Sequence, residues 1–116
     1  MLNDTPLGVA DVLERAADLI EPEGAWTRGA AARDGSYDPT SFDNREAICW
    51  CMMGAISKVA GGVRPMSDIA GQARDQLRKA IDTPWITDFN DNEDRTQPEV
   101  VAALRRAATL ARAGEA

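Results

Sequence analysis

The chain has 116 residues, of which 44% are hydrophobic and 28% charged, and its formal net charge is −6. This length and composition predict a single globular domain over residues 1–116 and argue against disorder. The negative charge argues against direct nucleic-acid binding, because phosphates repel such a surface, although a compact acidic domain can occupy a basic nucleic-acid site on another protein.

Several chemistries are excluded by the residues that the chain lacks. There is no histidine, so Ser-His-Asp and Cys-His catalysis and histidine-ligated metals are ruled out within one chain. The longest apolar stretch, Ala47–Ala60, is interrupted by Ser57 and Lys58 and is too short to span a bilayer. The N-terminus lacks the basic residues of a signal peptide, so we expect a cytoplasmic protein without membrane contact or cofactor.

The first predicted element is a helix. Thr5 can cap its N-terminus, and Pro6 suits the first turn, where no amide hydrogen is needed. Pro22 and Gly24 should end it. Six apolar residues fall on one face at helical spacing: Val9, Val12, Leu13, Ala16, Ala17 and Ile20.

Residues 25–42 predict a short β-hairpin. Asp34-Gly35 favours a tight reversal of the chain, because both residue types accept positive φ angles. Three consecutive alanines at 30–32 leave a helical turn open as the alternative.

The next element is predicted to be the central helix of the fold, covering Ile48–Val59. Asp43 can cap it with Glu46 reaching back, and Gly61-Gly62 should end it. Its own side chains are apolar on nearly all faces, which is typical of a buried helix. Gly54 is unfavourable within a helix, so we expect another element to approach closely there.

Two further helices follow. Ser67 is a suitable cap for a helix over residues 68–81, and residues 83–89 read as an extended connector. Thr96 and Glu99 form a capping box for the last helix. Three connector residues should enter the core: Trp85, Ile86 and Phe89. The predicted fold class is therefore mainly α, with about four helices around a central buried helix and a small β-hairpin.

Many polar side chains follow one another at the end of the connector and after it, over residues 88–99. Oxygen-bearing residues follow the spacing of an EF-hand calcium loop, with five of them as possible ligands: Asp88, Asn90, Asn92, Asp94 and Glu99. Glu93 stands where the loop needs glycine, and Arg95 stands at a place that is usually apolar. We therefore favour the alternative, in which the same side chains bond backbone amides in a turn before the last helix.

Cysteines and arginines invite a functional interpretation as well. Cys49 and Cys51 could be reactive thiols, but no histidine can assist them and their surroundings are apolar, so buried structural cysteines are the favoured interpretation. Basic side chains cluster on the last two long helices, at Arg74 and Arg78 and at Arg105, Arg106 and Arg112. Such clusters are usually solvated faces balanced by acidic residues.

Five short blocks together resemble a small bacterial and phage family of unknown function. They are Trp26-Thr27-Arg28-Gly29, Ala32-Arg33-Asp34, Cys49-Trp50-Cys51 with Gly54-Ala55, Phe89-Asn90-Asp91, and Arg95-Thr96-Gln97 with Glu99-Val100. The resemblance spans nearly the whole chain and implies a shared architecture and a phage or mobile-element setting. It implies no activity and no catalytic residues.

The candidate functional site is a polar latch, comprising Asp34, Asn90, Asp91, Arg95 and Thr96. In this hypothesis Asp91 or Asn90 accepts amide hydrogens in the loop, and Arg95 pairs with an acid on the second helix or the hairpin.

The sequence is compatible with three functions. The leading one is a small acidic, non-enzymatic binding or regulatory module that docks on another protein, which in a phage setting would inhibit a host factor. The second is a small-molecule or catalytic site between the hairpin and the 88–96 loop, built from Asp34, Asp91, Arg95 and one cysteine, since paired carboxylates can act without histidine. The third is calcium binding at 88–99.

Overall fold

Helices make up most of the fold. The computed structural model describes residues 8–61 and 66–115. The helices are α1 (Val9–Ile20), α2 (Met52–Ala60), α3 (Met66–Ile81), α4 (Ile86–Asp91) and α5 (Gln97–Glu115), and the strands are β1 (Ala32–Asp34), β2 (Pro39–Thr40) and β3 (Ala47–Trp50). The expected fold class, mainly α with a small β-structure, is confirmed.

Helix α1 packs against α2, α3 and α5. Of its predicted apolar face, Val9 is partly buried and the other five residues are fully buried. The predicted cap Thr5 and Pro6 lie outside the described residues. In the structure Gly8 precedes the helix, and the Asp11 carboxylate accepts a hydrogen bond of 3.2 Å from its backbone N–H.

The predicted hairpin is confirmed as β1 and β2, which pair antiparallel with Ala32 opposite Thr40. The Asp34 carboxylate stabilises the turn by accepting the backbone N–H groups of Ser36 and Asp38, at 2.9 and 3.1 Å. The positive φ angle falls on Tyr37 (66°) and not on the glycine of the Asp34-Gly35 pair.

The predicted helix over Ile48–Val59 is wrong in its first part. Residues 47–50 form β3, which pairs antiparallel with the other side of β1, and Asp43 and Glu46 therefore precede a strand. Ile48 is 52% exposed. Isoleucine and tryptophan suit a pleated strand, and a free edge of β1 is available to pair with them.

Helix α2 begins only after Cys51, whose thiol accepts the Gly54 backbone N–H at 3.2 Å and so caps the helix. The expected close approach at Gly54 is present, because a Cβ there would lie 2.0 Å from the carbonyl oxygen of Ala31. The helix ends at Ala60, before Gly61.

The connector between α3 and α5 differs from the prediction. Residues 86–91 form the short helix α4, which buries Ile86 and partly buries Phe89. Trp85 does not enter the core and is 66% exposed. Helix α3 begins at Met66, so Ser67 lies inside it and does not precede it.

The predicted capping box of α5 is confirmed. The Glu99 carboxylate accepts the Thr96 backbone N–H at 2.9 Å, and the Thr96 hydroxyl accepts the Glu99 N–H at 3.4 Å. In the described part of the chain, the helices are too short or too polar to cross a membrane.

Candidate functional site

The buried side-chain amide of Asn90 joins three segments of the chain. Its Oδ1 accepts hydrogen bonds from Trp26 Nε1 at 2.7 Å and from the backbone N–H of Met52 at 3.0 Å. Its Nδ2 donates to the Thr27 carbonyl at 3.1 Å and to the Asp91 carboxylate at 2.9 Å. The Met52 N–H starts α2 and has no partner within that helix, so Asn90 serves as its acceptor. We call these five residues the Asn90 junction.

Asp91 extends the junction to a glycine turn. Its carboxylate accepts the Gly29 backbone N–H at 3.0 Å, and Gly29 has a φ of 77°, a conformation that favours glycine. Asn90 and Asp91 therefore both accept backbone amide hydrogens. The donors are Gly29 and Met52, which lie far away in sequence, and not amides of the 88–96 loop itself.

Arg28 ties the same turn to the polar loop after α4. Its guanidinium donates to the carbonyls of Asn92 at 3.1 Å, Glu93 at 3.5 Å and Arg95. It also lies over the Trp26 ring, 4.7 Å from the centroid. Sequence reasoning did not assign Arg28 a role, although its position inside the Trp26–Gly29 block was the available signal.

The remaining candidates lie in other places. Arg95 stacks on Phe89, with its Cζ 3.6 Å from the ring centroid, and donates to the Phe89 carbonyl at 3.0 Å. Its nearest acid is Glu99 on α5, at 3.8 Å, which replaces the expected acid on the second helix or the hairpin. Thr96 caps α5, and its backbone hydrogen bond lowers the pKa of Glu99. Asp34 is engaged in the hairpin turn, so the structure does not bring it together with the others.

The five calcium candidates are not gathered into one ligand set. Asp88 is exposed on α4, whereas the Asn90 oxygen faces the interior and already has two donors. Asn92 accepts the Asp94 backbone N–H at 2.9 Å in a local turn. Over residues 8–61 and 66–115, no three Asp, Glu or Cys side chains are positioned to hold a metal ion.

The two cysteines are free and lie at the end of β3 and the start of α2. Cys49 is fully buried. Cys51 is partly buried, and this burial raises the pKa of its thiol, which lowers the fraction of reactive thiolate at neutral pH. Cys51 borders a hollow of about 250 Å³, lined also by Gly29, Ala31, Met53, Thr87 and Asp91, among others.

A network of ion pairs joins α1 to α5. Arg105 donates to Glu14 at 2.8 Å and to Asp18 and Glu21 at 3.0 Å. Arg112 donates to Glu14 at 3.0 Å, and this hydrogen bond lowers the pKa of the Glu14 carboxyl. The expectation that the arginines of the last helix are balanced by acidic residues is thus confirmed for these two.

A groove lies beside this network, between the end of α1 and the start of α5. Its volume is about 440 Å³, and we call it the α1–α5 groove. It is lined by two carboxylates, an amide, an arginine and a floor of apolar groups: Glu21, Glu23, Gln97, Pro98, Val101, Ala102 and Arg105. The Gln97 amide caps α1 by donating to the carbonyls of Ile20 and Pro22, both at 2.7 Å.

The polar groups of the junction serve the fold. In the described ranges, every buried side-chain nitrogen or oxygen has a hydrogen-bond partner. A catalytic acid or base needs a proton-accepting or proton-donating atom directed at a substrate. The Asn90 and Asp91 side chains direct their atoms at backbone and indole groups of the protein itself, so their geometry suits a structural role.

Comparison with known proteins places the chain in a family but gives no activity. No curated protein and no solved structure matches the chain significantly. The model of a family of unknown function, DUF6197, matches residues 4–110. This match includes every residue of the Asn90 junction and both sides of the α1–α5 groove. The chain therefore belongs to the DUF6197 family of unknown function.

Proposed function

We propose that this protein is a small acidic, non-enzymatic module that docks on another protein through a surface centred on Trp85. The observation that carries the proposal is the exposure of this tryptophan, at 66%. Tryptophan is among the residues most enriched at the energetic centres of protein interfaces. An exposed indole in a chain with only three tryptophans contributes little to the core and is available to a partner.

The backbone that presents Trp85 is held in place by hydrogen bonds. The Thr83 hydroxyl accepts the Trp85 N–H at 3.2 Å, and Arg78 donates to the Pro84 carbonyl at 3.1 Å. Arg78 is in turn paired with Asp75 at 2.8 Å. A side chain presented by an ordered backbone loses less conformational entropy on binding than one on a loose loop. This geometry suits a preformed contact residue.

The environment of Trp85 supports a protein partner and not a small ligand. A shallow hollow of about 200 Å³ adjoins the indole, lined in part by Met53, Ile86 and Asp88. Ligand pockets are typically about 300–1,000 Å³, so this hollow is too small to enclose a typical ligand. An exposed apolar side chain on a hydrogen-bonded backbone, beside a small hollow, is better suited to a protein surface.

The phage or bacterial setting implied by the sequence blocks belongs to the same proposal. In that setting the partner is a host protein, and docking inhibits it. The net charge of −6 supports a partner with a basic surface, because opposite potentials accelerate association and select partners.

The second candidate is a small-molecule or catalytic site at the hollow beside Cys51 and Asp91. Its position between the 29–31 segment and α4 favours it, since this is close to where the sequence predicted such a site. Its volume of about 250 Å³ is below the usual range for ligand pockets. Asp91 is also engaged by Gly29 and Asn90, which leaves docking as the better-supported function.

The docking proposal is tested by site-specific crosslinking followed by reconstitution. A photoreactive amino acid replaces Trp85 in the native host, and a second strain carries it at the exposed residue Thr109 as a control. A protein captured only from position 85 is then purified and titrated with the wild-type chain. We expect direct binding that Trp85→Ala weakens about thirtyfold or more, as for an interface hot spot, and that Leu110→Ala leaves unchanged. Equal binding by wild type and Trp85→Ala would refute the proposal.

A further inference from the structure

We propose that the α1–α5 groove seats a long basic side chain, arginine or lysine, of the docking partner. This inference rests on the proposed docking function and adds the chemistry of the partner. It is carried by a separate observation, the combination of carboxylates and an apolar floor in one groove of about 440 Å³.

The acidic residues at the end of α1 are placed unfavourably for the helix itself. A helix C-terminus carries partial negative charge and is stabilised by basic side chains. The last turn of α1 contains no basic residue, yet Asp18 lies in it, and Glu21 and Glu23 follow. Arg105 offsets the charges of Asp18 and Glu21, whereas Glu23 forms no ion pair among the described residues and is left to attract a further cation.

Arg105 shows how a guanidinium is held at this place. It donates to the carboxylates of Glu14 and Asp18 in α1 and of Glu21 directly after the helix, at 2.8–3.0 Å. Together with Arg112, two guanidiniums face four carboxylates, three in α1 and one directly after it: Asp11, Glu14, Asp18 and Glu21. Glu23 lines the groove as a further negative charge. The groove therefore lies beside an excess of negative charge that a second cation can offset.

The floor of the groove suits the stem of such a cation. Pro98, Val101 and Ala102 line it with apolar atoms. Arginine and lysine bury three or four methylene groups against apolar surface while their charged ends remain near water or a carboxylate. A basic side chain that lies over Val101 packs its methylene groups on the apolar floor and places its charged end at Glu21 and Glu23.

The test uses a synthetic peptide with two arginines among leucine and alanine, and a matched peptide in which citrulline replaces both arginines. Citrulline keeps the shape of arginine and removes its charge. We expect the arginine peptide to bind with a Kd on the order of 1 mM or tighter and to shift the amide NMR signals of Glu23, Val101 and Ala102. The citrulline peptide should bind about tenfold more weakly or not at all.

Two variants of the protein distinguish binding in the α1–α5 groove from nonspecific attraction of the peptide to an acidic protein. Glu23→Gln should weaken the arginine peptide severalfold, while Glu46→Gln, which removes an equal charge from the strand region, should have no effect. Equal affinity for the two peptides, no binding of either, or signal shifts confined to other surfaces would each overturn the inference. None of these results would refute the proposal of docking through Trp85. That proposal is tested separately, by the crosslinked partner and the Trp85→Ala variant.

Discussion

Asn90 accepts a hydrogen bond of 2.7 Å from the indole nitrogen of Trp26, across 64 positions of sequence. The contact lies where the segment before β1, the start of α2 and the short helix α4 meet. Blocks that stand far apart in the chain, Trp26–Gly29 and Phe89–Asp91, are thereby parts of one structural feature. Their joint occurrence is explained by hydrogen bonding within the fold and does not require a shared ligand.

Replacing Asn90 with alanine should be severely destabilising. The variant leaves the buried Met52 amide and the partly buried Trp26 indole without their acceptor, and an unsatisfied buried group costs about 1–3 kcal/mol. We expect a loss of about 3 kcal/mol or more and a decrease in Tm of about 10 °C, measured by urea and thermal unfolding. Asn92→Ala, which removes only a local turn contact, is the control. A Tm within about 2 °C of wild type for Asn90→Ala would contradict the structural role of the junction.

Two glycines should respond oppositely to alanine. At Gly54 a new Cβ would lie 2.0 Å from the Ala31 carbonyl oxygen, a backbone atom that cannot move aside freely. We expect Gly54→Ala to destabilise by at least about 1–3 kcal/mol, as overpacking does. At Gly71 in α3 the nearest atom is 3.9 Å away, at the end of the flexible Arg74 side chain. Gly71→Ala should therefore stabilise by up to about 1 kcal/mol through helix propensity.

Equilibrium unfolding measures the change in the free energy of unfolding for both glycine variants. Equal and small effects of the two substitutions would show that α2 does not approach the Ala31 segment as closely as described.

The ion pairs between α1 and α5 should make stability depend on pH. The hydrogen bond from Arg112 lowers the pKa of Glu14 below its usual value of 4.5. A carboxyl with a lowered pKa in the folded state stabilises the protein above its unfolded pKa, and this contribution is lost as the pH falls through the folded pKa. Glu14→Gln should therefore lower Tm at pH 7 and have little effect near pH 2.

The matched variant for this experiment is Glu46→Gln, because Glu46 is exposed and forms no ion pair among the described residues. Its Tm should follow that of wild type at both pH values. A Glu14→Gln effect that is the same at pH 7 and pH 2 would argue against the ion pairs as its cause.

The two thiols should differ in reactivity. Cys49 is fully buried, so Ellman's reagent should label it only when the protein unfolds. Cys51 is partly exposed, but burial raises the pKa of its thiol, so its labelling should be slower than that of a free thiol at pH 7.5 and faster at higher pH. Cys51→Ser should abolish the labelling of the folded protein. Rapid modification of both thiols under native conditions would contradict the packing of β3 and α2.

Calcium should leave the protein unchanged. The Asn90 oxygen is occupied by two donors and the remaining candidate oxygens are distributed over α4, a turn and α5, so the polar run offers no common centre for an ion. Addition of millimolar CaCl₂ should shift neither Tm nor tryptophan fluorescence, to which the exposed Trp85 close to the run contributes. A saturable change in either signal would restore the calcium interpretation.

The sequence by itself determined the elements whose signals are local. The apolar periodicity of α1, the Asp34-Gly35 reversal and the Thr96–Glu99 capping box each depend on residues a few positions apart, and all three are found. The expectation that basic side chains of the last helix are balanced by acidic residues is met by Arg105 and Arg112.

Only the tertiary structure decided the elements whose state depends on distant partners. Residues 47–50 are apolar enough for either a helix or a strand, and the free edge of β1 selects the strand. Trp50 and Trp85 are the same residue type, yet Trp50 is buried and Trp85 is exposed. Helix α4 begins directly after Trp85, and its first residue, Ile86, is buried in the core instead. The roles of Arg28 and Asn90 arise from hydrogen bonds that span more than 60 positions, and long-range contacts of this kind leave no periodic trace in the sequence.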